Sequence, residues 1–156
     1  MEKTLEDWIK KVTKKQEILG GLSICPHAKK AYESGKIYWS YMSEEPEAFI
    51  FRYIEIAQYF DLIVFFNDSK KLTMDDLKRI INNLQPHLPD LVFLPDHPDN
   101  PGMINGLNTD NEVYPAILVQ PKKALLEARE NLKKTKYYDY WSDEYKKEIW
   151  SYGDES

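Results

Sequence analysis

The chain's single cysteine stands directly before a proline, in the run Leu22-Ser23-Ile24-Cys25-Pro26-His27-Ala28-Lys29. Proline suits the first position of a helix, where its missing N–H would have no partner in any case, so Cys25 is expected at the N-cap. A thiol there meets the positive end of the helix dipole and free backbone N–H groups. Both favour the thiolate and should lower its pKa. Lys29, one turn on, could add to this or bind substrate. The competing reading is a small buried hydrophobe. A second thiol at position 28 would permit dithiol redox chemistry, but Ala28 stands there.

The second candidate is the imidazole of His97, in Pro95-Asp96-His97-Pro98-Asp99-Asn100-Pro101-Gly102. This loop follows an apolar strand, and strand ends are where α/β sheets place ligands. Asp96 or Asp99 could orient the ring or raise its pKa. The competing reading is a structural turn in which His97 bonds the backbone. Asn108, Thr109 and Tyr114, further along the same aperiodic stretch, could line a polar pocket, although Asn and Thr also close turns onto their own backbone. His27 and His97 with a carboxylate could form a metal set, but no spacing enforces it, and none is assigned. A thiolate-rich zinc site is excluded by the single cysteine.

The elements that must position these groups follow from periodicity. Leu5, Trp8, Ile9 and Val12 predict a helix from Glu2 to about Leu19, capped by Thr4 and stopped by Gly20-Gly21. A short helix from Pro26 should end at Gly35. Ile37–Met42 reads as a strand, and Pro46 opens a helix to about Tyr59. Leu62–Phe66 is apolar throughout, as in a strand covered on both faces. Thr73 and Asp76 form a capping pair for a third long helix. Strands at Leu91–Leu94 and Ala116–Val119 follow, then a helix opened by Pro121, then an aromatic segment, Tyr137–Trp150, with Ser142 as a cap. The expectation is one α/β domain over residues 1–156, with a central, mostly parallel four-stranded sheet and helices on both faces; α+β is the alternative. The last strand pair, having no helix between its members, should be antiparallel.

Composition narrows the function classes. The 156 residues are 42% hydrophobic and 30% charged, a globular balance able to build a core. A net charge of −5 argues against a nucleic-acid partner, which needs a basic face. The longest apolar run is too short to span a bilayer. The charged, amphipathic opening does not read as a secretory signal, so a cytoplasmic protein with a reduced thiol is expected. No phosphate-cradling loop or nucleophile elbow names a cofactor. The aromatic tail should close across the core, or else form a homodimer face.

The run Gly21-Leu22-Ser23-Ile24-Cys25-Pro26-His27-Ala28-Lys29, with Trp8 before it, resembles the Gly-Leu-Asn-Leu-Cys-Pro-Phe-Ala-Lys opening of a bacterial family, domain of unknown function 1415. That family also carries a His-Pro-Asp step, an Asn/Thr loop and a Tyr-Pro pair, here matched by His97-Pro98-Asp99, Asn108-Thr109 and Tyr114-Pro115. The resemblance runs from about Trp8 to Leu132. His27 stands where the family has an aromatic residue, and the aromatic C-terminal segment has no counterpart. The resemblance brings no reaction, but it pairs Cys25 with His97. The expected function is then an enzyme on a small polar metabolite, with Cys25 as nucleophile and His97 as acid/base. The alternative is an interaction or accessory protein using the aromatic segment.

Overall fold

The computed structural model describes residues 4–42, 45–69, 71–100 and 102–152. The first helix, α1 (Leu5–Thr13), opens on a reciprocal cap: the Thr4 hydroxyl accepts from the Asp7 N–H at 3.1 Å, and the Asp7 carboxylate accepts from the Thr4 N–H. It stops six residues before the expected end. In a continued helix the Gln16 N–H would bond the Val12 carbonyl. Instead Gln16 donates to Leu22, and Cys25 takes the Val12 carbonyl at 2.8 Å. This pairing folds residues 14–24 back along the helix end, so a tertiary bond wins over local periodicity.

Helix α2 (Pro26–Glu33) leads through Gly35, at φ 67°, into strand β1 (Ile37–Tyr41). Helix α3 (Pro46–Tyr53) tightens into a 3-10 turn over Ile54–Tyr59 before β2 (Leu62–Phe66). Helix α4 (Met74–Leu84) carries the expected Thr73–Asp76 cap and precedes β3 (Leu91–Asp96). A small hairpin, β4 (Met103–Ile104) and β5 (Leu107–Asn108), turns at Asn105-Gly106, both at positive φ as a tight two-residue hairpin turn requires. Strand β6 (Ala116–Pro121), α5 (Lys122–Lys133), a 3-10 turn over Tyr137–Tyr140 and α6 (Asp143–Ser151) complete the chain. The Ser142 hydroxyl caps α6 by accepting from the Tyr145 N–H. Of the Pro101-Gly102 step that ends the His97 loop, only Gly102 lies among the described residues. Among them every peptide bond is trans, Tyr114–Pro115 included.

The sheet has the order β1-β2-β6-β3, and it is mixed rather than mostly parallel. Only β1 and β2 run parallel; β6 is antiparallel to both β2 and β3. The strands joined through helices, β1 to β2 to β3, do share one direction. Strand β6 returns from β3 without a helix, runs the opposite way, and inserts between β2 and β3. The β3–β6 pair is therefore antiparallel as expected, and the insertion makes a second antiparallel pair.

Successive strand residues point to opposite faces. Ile63, Phe65, Phe93, Ile117 and Val119 pack under α3 and α4 in one core. Leu62, Val64, Ala116 and Leu118 join a second core with α1, α2 and rings of the C-terminal segment. The aromatic tail is thus a closing segment. Among the described residues no helix is long and apolar enough to cross a membrane.

Candidate functional site

The second core is not filled. Between the sheet and a cover made by the start of α2, by α5 and by the aromatic segment lies a cavity of about 140 Å³. A cavity of this order admits a small organic molecule. Its floor is Leu62, Leu94 and Leu118.

Two contacts hold the aromatic segment down, and a third ties it to α5. Tyr137, 2% exposed, donates its hydroxyl proton to the Ile24 carbonyl, beside Cys25. The Tyr145 hydroxyl lies 3.0 Å from Thr109 Oγ1, on the connection after the hairpin. Buried Arg129, on α5, donates to the carbonyls of Ile149 and Tyr152, at the C-terminal end of α6, where a cation is favoured. The Trp141 ring bridges Tyr137 and Tyr145, with centroids 5.6 and 4.7 Å away.

At one end of the cavity two carboxyl groups meet. Asp96, the last residue of β3, accepts two bonds on Oδ1, from the backbone and side-chain N–H groups of Asn111; its Oδ2 makes none among the described residues. Asp110 accepts from the His97 N–H at 3.3 Å, the Gly102 N–H at 3.1 Å and the Thr109 hydroxyl at 2.9 Å. Both are buried. Burial, and then the charge of Asp110, pushes the Asp96 carboxyl well above the usual range. Burial also raises Asp110, against the three donors that favour its ionised form. With more bonds to its charged form, Asp110 is the better carboxylate, and Asp96 is the member that keeps a proton.

Cys25 sits at the N-cap of α2 as expected, but its thiol is pushed up, not down. Burial is the largest cause. The N–H groups of Ala28 and His27 pull the other way and do not prevail, and the charge of Asp96 pushes further up. Its partial exposure is consistent with lining the cavity, since protein surrounds it. Sequence reasoning captured the local dipole and missed the tertiary desolvation, which is larger here.

His97 is the structural turn weighed as the competing reading. Its Nε2 lies 2.8 Å from the Leu72 carbonyl, and its Nδ1 accepts from the Asp99 N–H at 3.0 Å. With Nδ1 accepting, the proton is on Nε2, and both ring nitrogens are engaged by backbone. Leu72 packs on the α3/α4 core, across the sheet from the core that contains Cys25. The two motifs are not brought together, and the cavity wall includes Asp96 but not His97. Asp99 touches the ring through its backbone N–H, and the residue is exposed.

The expected binding residues divide in the same way. Thr109 lines the cavity. Lys29 pairs with Glu33 along α2 and is not part of the wall. Asn108 closes a turn by accepting from the Asp110 N–H, and Tyr114 stacks on Phe66 at 5.7 Å. His27 lines the cavity, and burial lowers its pKa. It lies across the sheet from His97, and among the described residues no group of three potential ligands stands ready for a metal ion.

The chain matches no family model, no curated protein and no solved structure. Two wall residues escaped sequence reasoning and had a signal. Gln120 shares the strand parity of Leu118, so a polar residue there faces the apolar side. Arg129 falls one turn after Leu125, on the inward stripe of α5. Asp110 directly follows Asn108-Thr109 in the aperiodic stretch, but nothing in the sequence brings it to Asp96.

Proposed function

We propose that the chain is a small acid–base enzyme that takes a compact, largely apolar molecule into the cavity beneath the aromatic cover and exchanges a proton with it through Asp96. The observation that carries this reading is Asp96 itself. It is a buried carboxyl group with one oxygen committed to Asn111, the other without a bond among the described residues, and a second carboxyl group beside it. Two carboxyl groups held side by side in a buried site cannot both ionise freely, a recurring way to keep one as an acid at neutral pH. Cys25 enters the reading as a neutral thiol in the same wall. The rival reading, a binding protein that offers its aromatic segment to a partner, is disfavoured because Tyr137 and Tyr138 are buried. The same proposal includes a cytoplasmic setting, no nucleic-acid partner, and kinship with the domain of unknown function 1415 family.

The test is a titration with hexanamide, followed by the methyl NMR signals of Leu62, Leu94 and Leu118 at several pH values. The wild type should bind while Asp96 is protonated and weaken as it ionises. Asp96→Asn keeps a donor at the same place and should bind with little dependence on pH. Unmoved methyl signals, or the same pH dependence in the variant, would overturn the reading.

A further inference from the structure

The far end of the cavity carries a second polar group that the acid–base reading does not use. Gln120 is 3% exposed and lines the cavity; its side-chain amide has no hydrogen-bond partner among the described residues and is not sealed off from the cavity space. Leaving a buried amide without partners is costly, so native proteins seldom do it without a reason. An interior glutamine on the floor of a cavity offers one N–H donor group and one carbonyl acceptor to whatever enters.

The strand register gives the separation. Asp96 pairs with Ala116, and Val92 with Gln120, so the two polar groups lie four strand positions apart. At about 3.4 Å per residue this is roughly 13 Å between their backbones. Leu94 and Leu118 occupy the floor between them. The wall is therefore polar, apolar, polar along its length.

Resting on the acid–base reading of Asp96, we infer that the substrate is a slender, neutral molecule with a hydrogen-bonding group at each end: a carbonyl that accepts from Asp96 and an amide or hydroxyl that pairs with Gln120, joined by a short apolar chain over Leu94 and Leu118. Asp96, with one oxygen held by Asn111 and its proton kept, offers a hydrogen bond rather than a charge, so a neutral carbonyl is its natural partner. A molecule with one polar end would leave either Asp96 or Gln120 unpartnered.

The test compares the diamides glutaramide and adipamide with the monoamides pentanamide and hexanamide, by calorimetry on the wild type and on Gln120→Leu. At least one diamide should bind the wild type about tenfold tighter than the monoamide of the same chain length, the gain expected of one buried hydrogen-bonded group. Gln120→Leu should remove that advantage, because the second amide of a diamide then has no partner. Gln120→Met, of similar length, serves as the second variant if the first does not fold, as judged by circular dichroism. If monoamides bind in an Asp96-dependent way but diamides gain nothing, or keep their gain in the Gln120 variants, this inference falls while the Asp96 reading stands. If no amide binds, both fall.

Discussion

Asp96 and His97, neighbours in the chain, serve opposite sides of the sheet. Asp96 reaches the cavity under the aromatic cover, while the His97 ring bonds the Leu72 carbonyl at 2.8 Å beside the α3/α4 core. A strand alternates its side chains, so a motif read as one cluster along the sequence is divided between two environments.

The first prediction follows from that division. His97→Ala removes two ring contacts with backbone and should lower stability by about 1–3 kcal/mol in chemical denaturation. Hexanamide affinity should be unchanged in the folded variant. A loss of binding with stability intact would return His97 to the site.

The second prediction concerns pH. The Asp96 pKa is raised in the folded state, while in the unfolded chain it lies near 3.9. Below that value both states hold the proton and the group costs nothing. As pH rises, the unfolded chain ionises first, and stability falls by up to about 1.4 kcal/mol per pH unit until the folded group also ionises. Asp96→Asn should remove the Asp96 share of this slope and leave that of buried Asp110, so its advantage over the wild type should grow from about pH 4 upward and then level off. His27, with its pKa lowered by burial, contributes in the opposite sense: its share is complete above about pH 6.5 and is lost as pH falls. Urea melts across the range separate the two, because only the Asp96 contribution disappears in the variant.

The third prediction bears on Cys25. Burial has raised its pKa, so alkylation by iodoacetamide at pH 7 should be slower than for free cysteine. Tyr145→Ala, which removes one of the contacts holding the cover, should speed it. A rate in the wild type faster than free cysteine would restore the activated thiol.

The fourth prediction tests how closely the cover is fitted. A Cβ on Gly102 would stand 2.7 Å from both Thr109 Oγ1 and the Tyr145 ring. Gly102→Ala should cost about 1–3 kcal/mol, as overpacking does. Most of that cost should vanish in a Tyr145→Ala background, measured as a double-mutant cycle.

What the sequence disclosed, and what it did not, divides by range. The Thr4–Asp7 and Thr73–Asp76 caps, the stop at Gly35 and the doubly covered strand Leu62–Phe66 were legible because each depends on residues a few positions apart. The direction of β6 was not, because a strand apolar on both faces carries no mark of which neighbours it will take. The end of α1 at Thr13 was set by Cys25, twelve positions on. The position of Cys25 was legible and its ionisation was not, since the helix dipole is local and burial is not. Gln120 was visible only as a polar residue of inward parity, a signal that needs the sheet before it acquires meaning.

The inserted strand also bears on how the molecule comes into being. Strands β2 and β3 share no hydrogen bonds with each other; β6 supplies them to both. The Tyr137–Ile24 contact then spans 113 positions. A chain emerging from the ribosome must hold the β1–β2 pair and β3 apart, their greasy faces uncovered, until the middle strand arrives after nearly three-quarters of its length, and cannot shut the cover until later still. Such high contact order makes for slow assembly and a sticky nascent form, which should favour chaperone capture before residue 121 is free.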